Sequence, residues 1–219
     1  MYDDGSTDGT AELVRSCMNK APIELIEGKV NQGLATGMRT LIETVMSANP
    51  DPNDIIIVLD ADETHNPEHI MKMVDRIHDG FDVVIASRFR PDSRVVGVPW
   101  RRQMLSAGAS MLMKILFPIK GVRDYTCGYR AYRTEILMRA RQAFGPALFE
   151  GKGFSCMAEL LIKLRSLNLL AVEIPIVLRY DRKAGASKMP LSSTIASTLG
   201  ILIKLRTKGL SPEKVRLND

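Results

Sequence analysis

The sequence predicts an α/β fold in which helices flank a mainly parallel β-sheet. Residues 55–59 form an uninterrupted apolar and mostly β-branched run, which is typical of a central strand buried on both faces. Residues 82–86 predict a second buried strand, and residues 67–78 between them have the apolar spacing of an amphipathic helix. Strand, helix and strand in this order indicate right-handed βαβ units, and 219 residues allow one domain with a single sizeable core.

The other predicted elements are less regular. We expect a helix over residues 11–19 and a second helix that ends near Ala48. Residues 172–178 predict an edge strand, because Pro175 cannot donate a backbone hydrogen bond. Residues 1–10 form a dense acidic turn at the start of the chain, which predicts that a strand and a helix precede it in a longer polypeptide.

Two later helices are rich in apolar residues. In residues 100–117 the apolar side chains cover most of the helix circumference, which is typical either of a core helix or of a helix in contact with lipid. Residues 191–210 predict an amphipathic helix, so we expect residues 190–210 to form a membrane-interfacial segment. Its apolar face would comprise Ile195, Leu199, Leu202 and Ile203, and its end carries Lys204, Arg206 and Lys208.

Charge and cysteine content narrow the class of protein. The net charge is +5, and the basic residues cluster in the second half of the chain. Such an excess of basic residues favours binding to nucleic acid, to anionic lipid or to a phosphorylated substrate. The sequence contains no nucleic-acid-binding motif, which makes nucleic acid the least favoured of the three. The three cysteines are odd in number and lack CxxC spacing, which indicates reduced thiols in a cytosolic setting.

Asp60 and Asp62 follow the run at residues 55–59 directly. They therefore fall at the carboxyl edge of the predicted sheet, where open α/β sheets bind ligands. Two carboxylates on a turn can bind one Mg²⁺ or Mn²⁺ ion that shares its remaining positions with water and substrate phosphates. The alternative is that both are turn formers, with Thr64 or Asn66 capping the next helix. The residues alone leave both alternatives open.

Two further polar features have open roles. His65 and His69 lie four residues apart, but Pro67 lies between them and no third ligand is evident. Surface or capping histidines are therefore favoured over a zinc site. Glu159 lies among apolar residues of a predicted helix. Such an acid is usually solvated at the rim of its helix, although it can also point into a site.

In their order along the chain, several motifs resemble glycosyltransferase family 2, which has the GT-A fold, and most of all its dolichol- or polyprenol-phosphate mannosyltransferase branch. Each motif is short, but the ordered set is specific and covers nearly the whole chain. The matching segments are DDGSTDGT at residues 3–10, NQGLA at 31–35, DAD at 60–62 with residues 65–68, ASRF at 86–89, WRR at 100–102 with Ser106, residues 124–133, residues 153–154 with Glu159, and residues 182–188.

The resemblance implies roles for individual residues. It implies that Asp3 and Asp4 contact the base or ribose of a sugar nucleotide, and that Asp60 and Asp62 hold Mg²⁺ or Mn²⁺ on its diphosphate. It places Asp124 close to the transferring sugar. The residues implied to gather around the donor and acceptor phosphates are Arg88, Arg102, Ser106, Arg182 and Lys188. Those implied to act in catalysis are Asp62, Arg88, Arg102, Asp124 and Arg182.

The implied reaction transfers a hexose, expected to be mannose from GDP-mannose, to a polyprenol or dolichol phosphate with inversion at the anomeric carbon. A phosphate acceptor is already anionic near neutral pH, so arginines that bring two anions together suit it better than a strong general base. We expect a peripheral protein at the cytoplasmic face of a membrane. Alternatives are a UDP-sugar donor, a soluble acceptor or an inactive truncated binding subunit, and a membrane-anchored partner subunit stays open.

The chain departs from the family's pattern at several positions. The opening strand with its Pro-x-Tyr-Asn-Glu motif is absent, which predicts an N-terminally truncated GT-A domain with weak activity or none. Thr64 stands where relatives often have Gln or Ser, Cys127 where they have Ser, Tyr129 where they have Phe, and Ala186 where Glu is frequent.

Overall fold

A computed structural model of the protein describes residues 1–151, 153–182 and 191–208, without the side chains of residues 191–195 and 208. The strands in these residues are β1 (Tyr2–Asp3), β2 (Ile26–Glu27), β3 (Ile55–Val58), β4 (Val83–Ser87), β5 (Arg94–Val96), β6 (Arg130–Arg133), β7 (Ala171–Pro175) and β8 (Val177–Arg179). The helices are α1 (Thr10–Cys17), α2 (Leu34–Ser47), α3 (His69–His78), α4 (Trp100–Leu116), α5 (Thr134–Phe144), α6 (Ser155–Arg165) and α7 (Leu191–Lys208).

Four strands form the central sheet in the order β3-β6-β4-β7. β4 and β7 are parallel neighbours, while β3 and β4 each pair antiparallel with β6, so three of the four strands run in one direction. This arrangement confirms the predicted α/β class with a mainly parallel sheet. β1 and β2 form a separate parallel pair, and so do β5 and β8.

β6 is a strand that the apolar pattern does not predict, because two of its four residues are arginines. Arg130 is fully buried, and its guanidinium donates hydrogen bonds to the backbone carbonyls of Met157 and Tyr125 at 2.6 and 2.8 Å. A buried charge is tolerated where such partners replace water. Met157 is distant in the chain and the Tyr125 carbonyl lies in the loop before β6, so no apolar pattern in the local sequence predicts this strand.

The two outer strands of the central sheet differ from the predictions in instructive ways. Among the described strands, β3 lies at an edge, and each of its residues is partly exposed, so the prediction of a central strand buried on both faces is wrong for residues 55–59. The predicted strand at residues 172–178 divides into β7 and β8 on either side of the buried Ile176. β7 lies at the opposite edge, which confirms the edge position predicted from Pro175.

α4 exposes most of its large apolar side chains, so the core interpretation of this helix is wrong for the greater part of its length. Its buried residues are Ser110 and Met113. The exposed apolar residues are Trp100, Met104, Leu105, Met111, Leu112 and Ile115, which we call the α4 apolar face. Contact of this face with lipid stays a prediction.

α7 packs against α6 and buries Ile201, Leu202 and Leu205. Leu199 and Ile203 are exposed while Leu202 is buried, so only part of the predicted apolar face packs against the core, and the interfacial role of this segment stays a prediction. Within the described residues, we find no helix that combines the length and the apolar character needed to cross a membrane.

Candidate active site

Four of the predicted site residues lie together at one edge of the central sheet. β3 and β4 run in the same direction and end at this edge, and β6 begins there, since Arg130 pairs with both Val58 and Ile85. The segments that follow β3 and β4 and precede β6 therefore lie together, as expected for ligand sites in open α/β sheets. They carry Asp60, Asp62, Arg88 and Asp124.

Asp3 and Asp4 hold the turn that follows β1. The buried Asp3 carboxylate accepts hydrogen bonds from the backbone amide and the hydroxyl of Ser6. The Asp4 carboxylate accepts backbone amide hydrogen bonds from Gln32 at 2.8 Å and Gly33 at 2.7 Å. A negative charge is favourable there, because these amides lead into the N-terminus of α2. Contact of either aspartate with a nucleotide stays a prediction.

Arg88 and Asp124 form a buried bidentate ion pair. The Arg88 Nε and Nη2 atoms donate to Asp124 Oδ2 and Oδ1 at 2.8 and 2.7 Å, and the Arg88 amide donates to Oδ2 at 3.1 Å. Asp124 Oδ1 also accepts the backbone amides of Thr126 and Cys127. The Asp124 side chain is 0% exposed and that of Arg88 is 19% exposed. Asp124 therefore fixes the Arg88 guanidinium, and the Arg88 side chain as a whole stays partly exposed.

This environment sets the charge of both groups. Burial on its own would raise the pKa of Asp124, but the charge and hydrogen bonds of Arg88 outweigh it and hold that pKa below its ordinary value. Burial would likewise lower the pKa of Arg88, but Asp124 outweighs it and raises that pKa. The pair is therefore ionised at neutral pH. Because the Asp124 carboxylate is fully buried, it is not accessible for direct contact with a sugar.

Thr126 connects the Arg88 guanidinium to α4. Arg88 Nη2 donates to Thr126 Oγ1 at 2.5 Å, and the Ser106 hydroxyl lies 3.3 Å from the same oxygen. Arg102 lies one helical turn before Ser106 on α4 and is half-buried. The structure thus links Arg88 and Ser106 through the Thr126 hydroxyl, which no sequence motif singled out, and the gathering of Arg88, Ser106 and Arg102 around phosphates stays a prediction.

Asp60 and Asp62 are half-buried in the turn after β3. Asp62 Oδ1 accepts hydrogen bonds from the backbone amide and the hydroxyl of Thr64, at 3.2 and 2.6 Å. Within the described residues, no group of three or more His, Cys, Asp or Glu residues could hold a metal ion. Two carboxylates on an accessible turn nevertheless fit Mg²⁺ or Mn²⁺, which take one or two protein carboxylates and complete their coordination with phosphates and water.

Arg182 is exposed at the end of the short 3₁₀ turn Tyr180–Arg182 that follows β8. β8 contacts the turn that carries Asp60 and Asp62, since the Arg179 amide donates to the Thr64 carbonyl at 3.3 Å. Lys188 and the rest of the predicted basic loop lie outside the described residues, so the gathering of Arg182 and Lys188 around a phosphate stays a prediction.

Glu173 on β7 is a buried acid that the sequence did not mark. Its Oε1 atom accepts the backbone amides of Arg123 and Asp124, both at 2.6 Å. Burial raises the pKa of Glu173, the backbone amides lower it, and the nearby Asp124 charge raises it further, so that the net shift is upward. Glu173 therefore supports the backbone of the residue that fixes Arg88. The signal available in the sequence was only an acid among the apolar residues of a strand.

Glu159 is neither at a solvated rim nor in the site. It is fully buried in α6, where its carboxylate accepts the backbone amides of Glu150 and Gly151 and pairs with Lys163. Its contacts hold the segment before α6. His65 is likewise buried rather than at the surface.

The cysteines offer no nucleophile near the site. Cys17, Cys127 and Cys156 are free thiols, as predicted. Burial raises the pKa of both Cys127 and Cys156 to about 12, so these two stay protonated and unreactive at neutral pH.

Named relatives match most of the chain. It is 30% identical over 191 residues to polyprenol monophosphomannose synthase of Mycolicibacterium smegmatis, a match that covers 86% of this chain and 69% of the relative. It is also 30% identical over 190 residues to dolichol-phosphate mannosyltransferase of Pyrococcus furiosus, where the match covers 86% of this chain and 49% of the relative. The chain therefore spans between half and about two thirds of the length of these relatives.

A solved structure with the same fold is glucosyl-3-phosphoglycerate synthase from Mycobacterium tuberculosis in complex with Mn²⁺ and uridine-diphosphate-glucose. It superposes with a TM-score of 0.59 at 20% sequence identity, covering 94% of this chain and 66% of that one. This likeness confirms the GT-A fold. The model of the family described as glycosyl transferase family 2 matches residues 1–140. With the relatives above, this match shows that the chain belongs to glycosyltransferase family 2.

Proposed function

We propose that the protein is an inverting glycosyltransferase that moves a hexose, mannose from GDP-mannose, to a polyprenol or dolichol phosphate at a membrane surface. One observation carries the proposal: a half-buried pair of carboxylates and a preorganised arginine lie at the same edge of the sheet. The relatives at 30% identity are named for transfer of mannose to polyprenol or dolichol phosphate, which supports this donor and acceptor.

The donor diphosphate is the group that Asp60 and Asp62 would serve. They would hold Mg²⁺ or Mn²⁺ there, and the bound ion would neutralise the charge that develops on the departing diphosphate. A phosphate oxygen of the acceptor attacks the anomeric carbon while the bond from that carbon to the diphosphate breaks on the opposite face. No proton has to be removed from an ionised phosphate, so the site needs no general base.

The acceptor and donor phosphates repel each other, and we assign Arg88 the task of holding them together. Asp124 and Thr126 fix its guanidinium before any ligand binds, so little reorganisation is needed during the reaction. Asp124 then acts through Arg88 rather than on the sugar. Ser106, Arg102, Arg182 and Lys188 are proposed further contacts to phosphate, and Asp3 and Asp4 to the nucleoside.

The α4 apolar face is the proposed contact with the membrane. Arg101 and Lys114 are exposed on the same helix, and Lys120 follows it. A helix with apolar residues toward the acyl chains and basic residues near anionic head groups is typical of interfacial binding. Since Ser106 and Arg102 lie on the same helix, membrane contact would place a lipid phosphate beside Arg88. The site would then work at the cytoplasmic face as a peripheral protein.

A pair of matched methionines tests the membrane contact. Met111 on α4 and Met71 on α3 are both 66% exposed helical residues. We expect Met111→Ser to weaken binding to vesicles of phosphatidylglycerol and phosphatidylcholine roughly tenfold or more, because a buried methionine contributes about 1.5 kcal/mol or more. Met71→Ser should leave vesicle binding unchanged. Equal effects in a sedimentation assay would contradict the assignment.

Transfer itself is tested with radiolabelled donors. With Mn²⁺ and polyprenyl phosphate in vesicles, label from GDP-mannose should appear in the organic phase. If label appears there only from a UDP-sugar, the donor is a UDP-sugar rather than GDP-mannose. If label is transferred only to a soluble phosphate, the acceptor is soluble rather than a polyprenyl phosphate. If no donor is consumed and no metal-dependent GDP or UDP binding is measured, while a polypeptide extended upstream is active, the chain is a binding subunit.

A further inference from the structure

The turn that carries Asp60 and Asp62 is held by a buried histidine. The backbone amide of Asp60 donates to Nδ1 of His65 at 3.0 Å. His65 is 7% exposed, so water has little access to compete for this bond. Because Nδ1 accepts, the imidazole in this arrangement is the neutral form with its proton on Nε2. The bond fixes the backbone of Asp60, and with it the direction in which the Asp60 side chain leaves the turn.

Tyr129 supports both the histidine and the end of the turn. Its ring stacks on His65, with ring centroids 4.9 Å apart and an interplanar angle of 23°. Its hydroxyl donates to the backbone carbonyl of Asn66 at 3.0 Å. Tyr129 is fully buried, and its own carbonyl accepts the Ala86 amide of β4 at 3.0 Å. Tyr129 therefore connects the turn, through its side chain, to the centre of the sheet, through its backbone.

Two more contacts complete the support. The Thr64 hydroxyl donates to Asp62 Oδ1 at 2.6 Å, and the Thr64 carbonyl accepts the Arg179 amide at 3.3 Å. Thr64 is 2% exposed. The turn is thus held by three hydrogen bonds, from the Asp60 amide to His65, from Arg179 to the Thr64 carbonyl and from Tyr129 to the Asn66 carbonyl. Such support is expected of a ligand site whose geometry is set before the ligand binds.

We propose that His65 and Tyr129 are positioning residues that set the relative orientation of Asp60 and Asp62 before a metal ion binds. The proposal rests on the proposed function in one respect, namely that this turn carries a divalent cation on a nucleotide diphosphate. Groups that hydrogen bond to metal ligands typically change metal affinity by about tenfold to a hundredfold. His65 acts on Asp60 through the backbone, so we expect an effect at the lower end of that range.

Substitutions separate the hydrogen bond from the stacking. His65→Phe keeps a ring against Tyr129 but removes the acceptor for the Asp60 amide, whereas His65→Asn keeps an acceptor near the position of Nδ1 and removes the ring. Tyr129→Phe keeps the stacking and removes only the bond to the Asn66 carbonyl. Tyr132→Phe is the control, because Tyr132 is a fully buried tyrosine of β6 that pairs with Ile56 and Val83 rather than with the turn.

The first measurement needs no metal. Backbone amide exchange of the metal-free protein, followed by ¹⁵N NMR, reports the Asp60 amide directly. We expect His65→Phe to speed exchange at Asp60 about tenfold, as the loss of one hydrogen bond of about 1.4 kcal/mol would. His65→Asn should keep most of the protection. The amides of β4 serve as an internal control for global unfolding.

The second measurement is Mn²⁺ affinity with GDP, read from the paramagnetic resonance signal of free Mn²⁺. We expect His65→Phe to weaken Mn²⁺ binding about tenfold, Tyr129→Phe roughly threefold and Tyr132→Phe not at all. His65→Asn should bind Mn²⁺ more tightly than His65→Phe.

Two results would overturn the proposal: unchanged exchange at Asp60 in His65→Phe, or faster exchange there with unchanged Mn²⁺ affinity in both His65→Phe and Tyr129→Phe. If the unsubstituted protein binds Mn²⁺ with neither GDP nor UDP, the proposed function fails. The exchange data then still decide whether His65 orders the turn, so the two failures are distinguishable.

Discussion

Asp124 and Asp62 lie at the same edge of one sheet but in opposite environments. Asp124 is 0% exposed, and its carboxylate accepts two side-chain hydrogen bonds from Arg88 together with several backbone amides. Asp62 is half-buried on a turn, where Thr64 is one of its partners. The enclosed acid, Asp124, therefore serves another side chain, while Asp62 on the turn is accessible to a ligand.

The largest effect is expected from Asp124→Asn. Removing one charge of a buried pair leaves the Arg88 guanidinium uncompensated, and we expect the free energy of unfolding to fall by about 3 kcal/mol. Urea denaturation followed by circular dichroism measures the change. The matched control is Asp181→Asn, since Asp181 forms a similar bidentate pair with Arg179 at the surface. Similar losses in the two variants would show that burial of Asp124 is not the cause.

The same pair gives a pH prediction. The pKa of Asp124 is lower in the folded protein than its ordinary value of 3.8, so its contribution is fully present above that value and is lost as the pH falls through the lower, folded pKa. The difference in unfolding free energy between the unsubstituted protein and Asp124→Asn should therefore be constant from pH 7 to about 4 and shrink below. A difference that already shrinks between pH 7 and pH 5 would contradict the ionised pair.

Glu173→Gln is expected to change stability less than Asp124→Asn does, and in the opposite direction. The pKa of Glu173 is raised above 4.5 in the fold, so the folded state holds this proton more tightly than the unfolded state does. Stability contributed by Glu173 is therefore lost as the pH rises from 4.5 through the folded pKa. Glutamine keeps an oxygen for the Arg123 and Asp124 amides and cannot ionise. As the pH rises above 4.5, the free energy of unfolding of Glu173→Gln should increase relative to that of the unsubstituted protein. A difference between the two proteins that stays constant with pH, measured by urea denaturation, would refute this.

Much of the fold could be predicted from local spacing, because β4, α2 and α3 each carry a regular apolar pattern. β6 could not, since its Arg130 depends on carbonyls from Met157 and Tyr125 that only the folded chain supplies. α4 shows most clearly that an apolar sequence pattern does not predict which side chains are buried. Its apolar residues were recognisable, but only tertiary structure shows that Ser110 faces inward while Trp100 faces outward.

The candidate site also combines residues that the sequence predicted with contacts that only the structure shows. Asp60, Asp62 and Arg88 could be selected by their position after predicted strands, and the structure brings them to one edge of the sheet. The enclosure of Asp124, the burial of His65 and the support from Glu173 depend on residues far away in the chain. A sequence motif marks that an aspartate matters without showing whether it meets a ligand or another side chain.

The smallest effect on folding and the most direct test belong to Asp62→Asn. This half-buried turn residue should change the free energy of unfolding by no more than about 1 kcal/mol. Calorimetry of GDP binding with and without Mn²⁺ then shows whether the turn binds the metal of a nucleotide diphosphate. We predict that Mn²⁺ tightens GDP binding to the unsubstituted protein and has no such effect on Asp62→Asn. Equal tightening by Mn²⁺ in both proteins would show that Asp62 does not bind the metal.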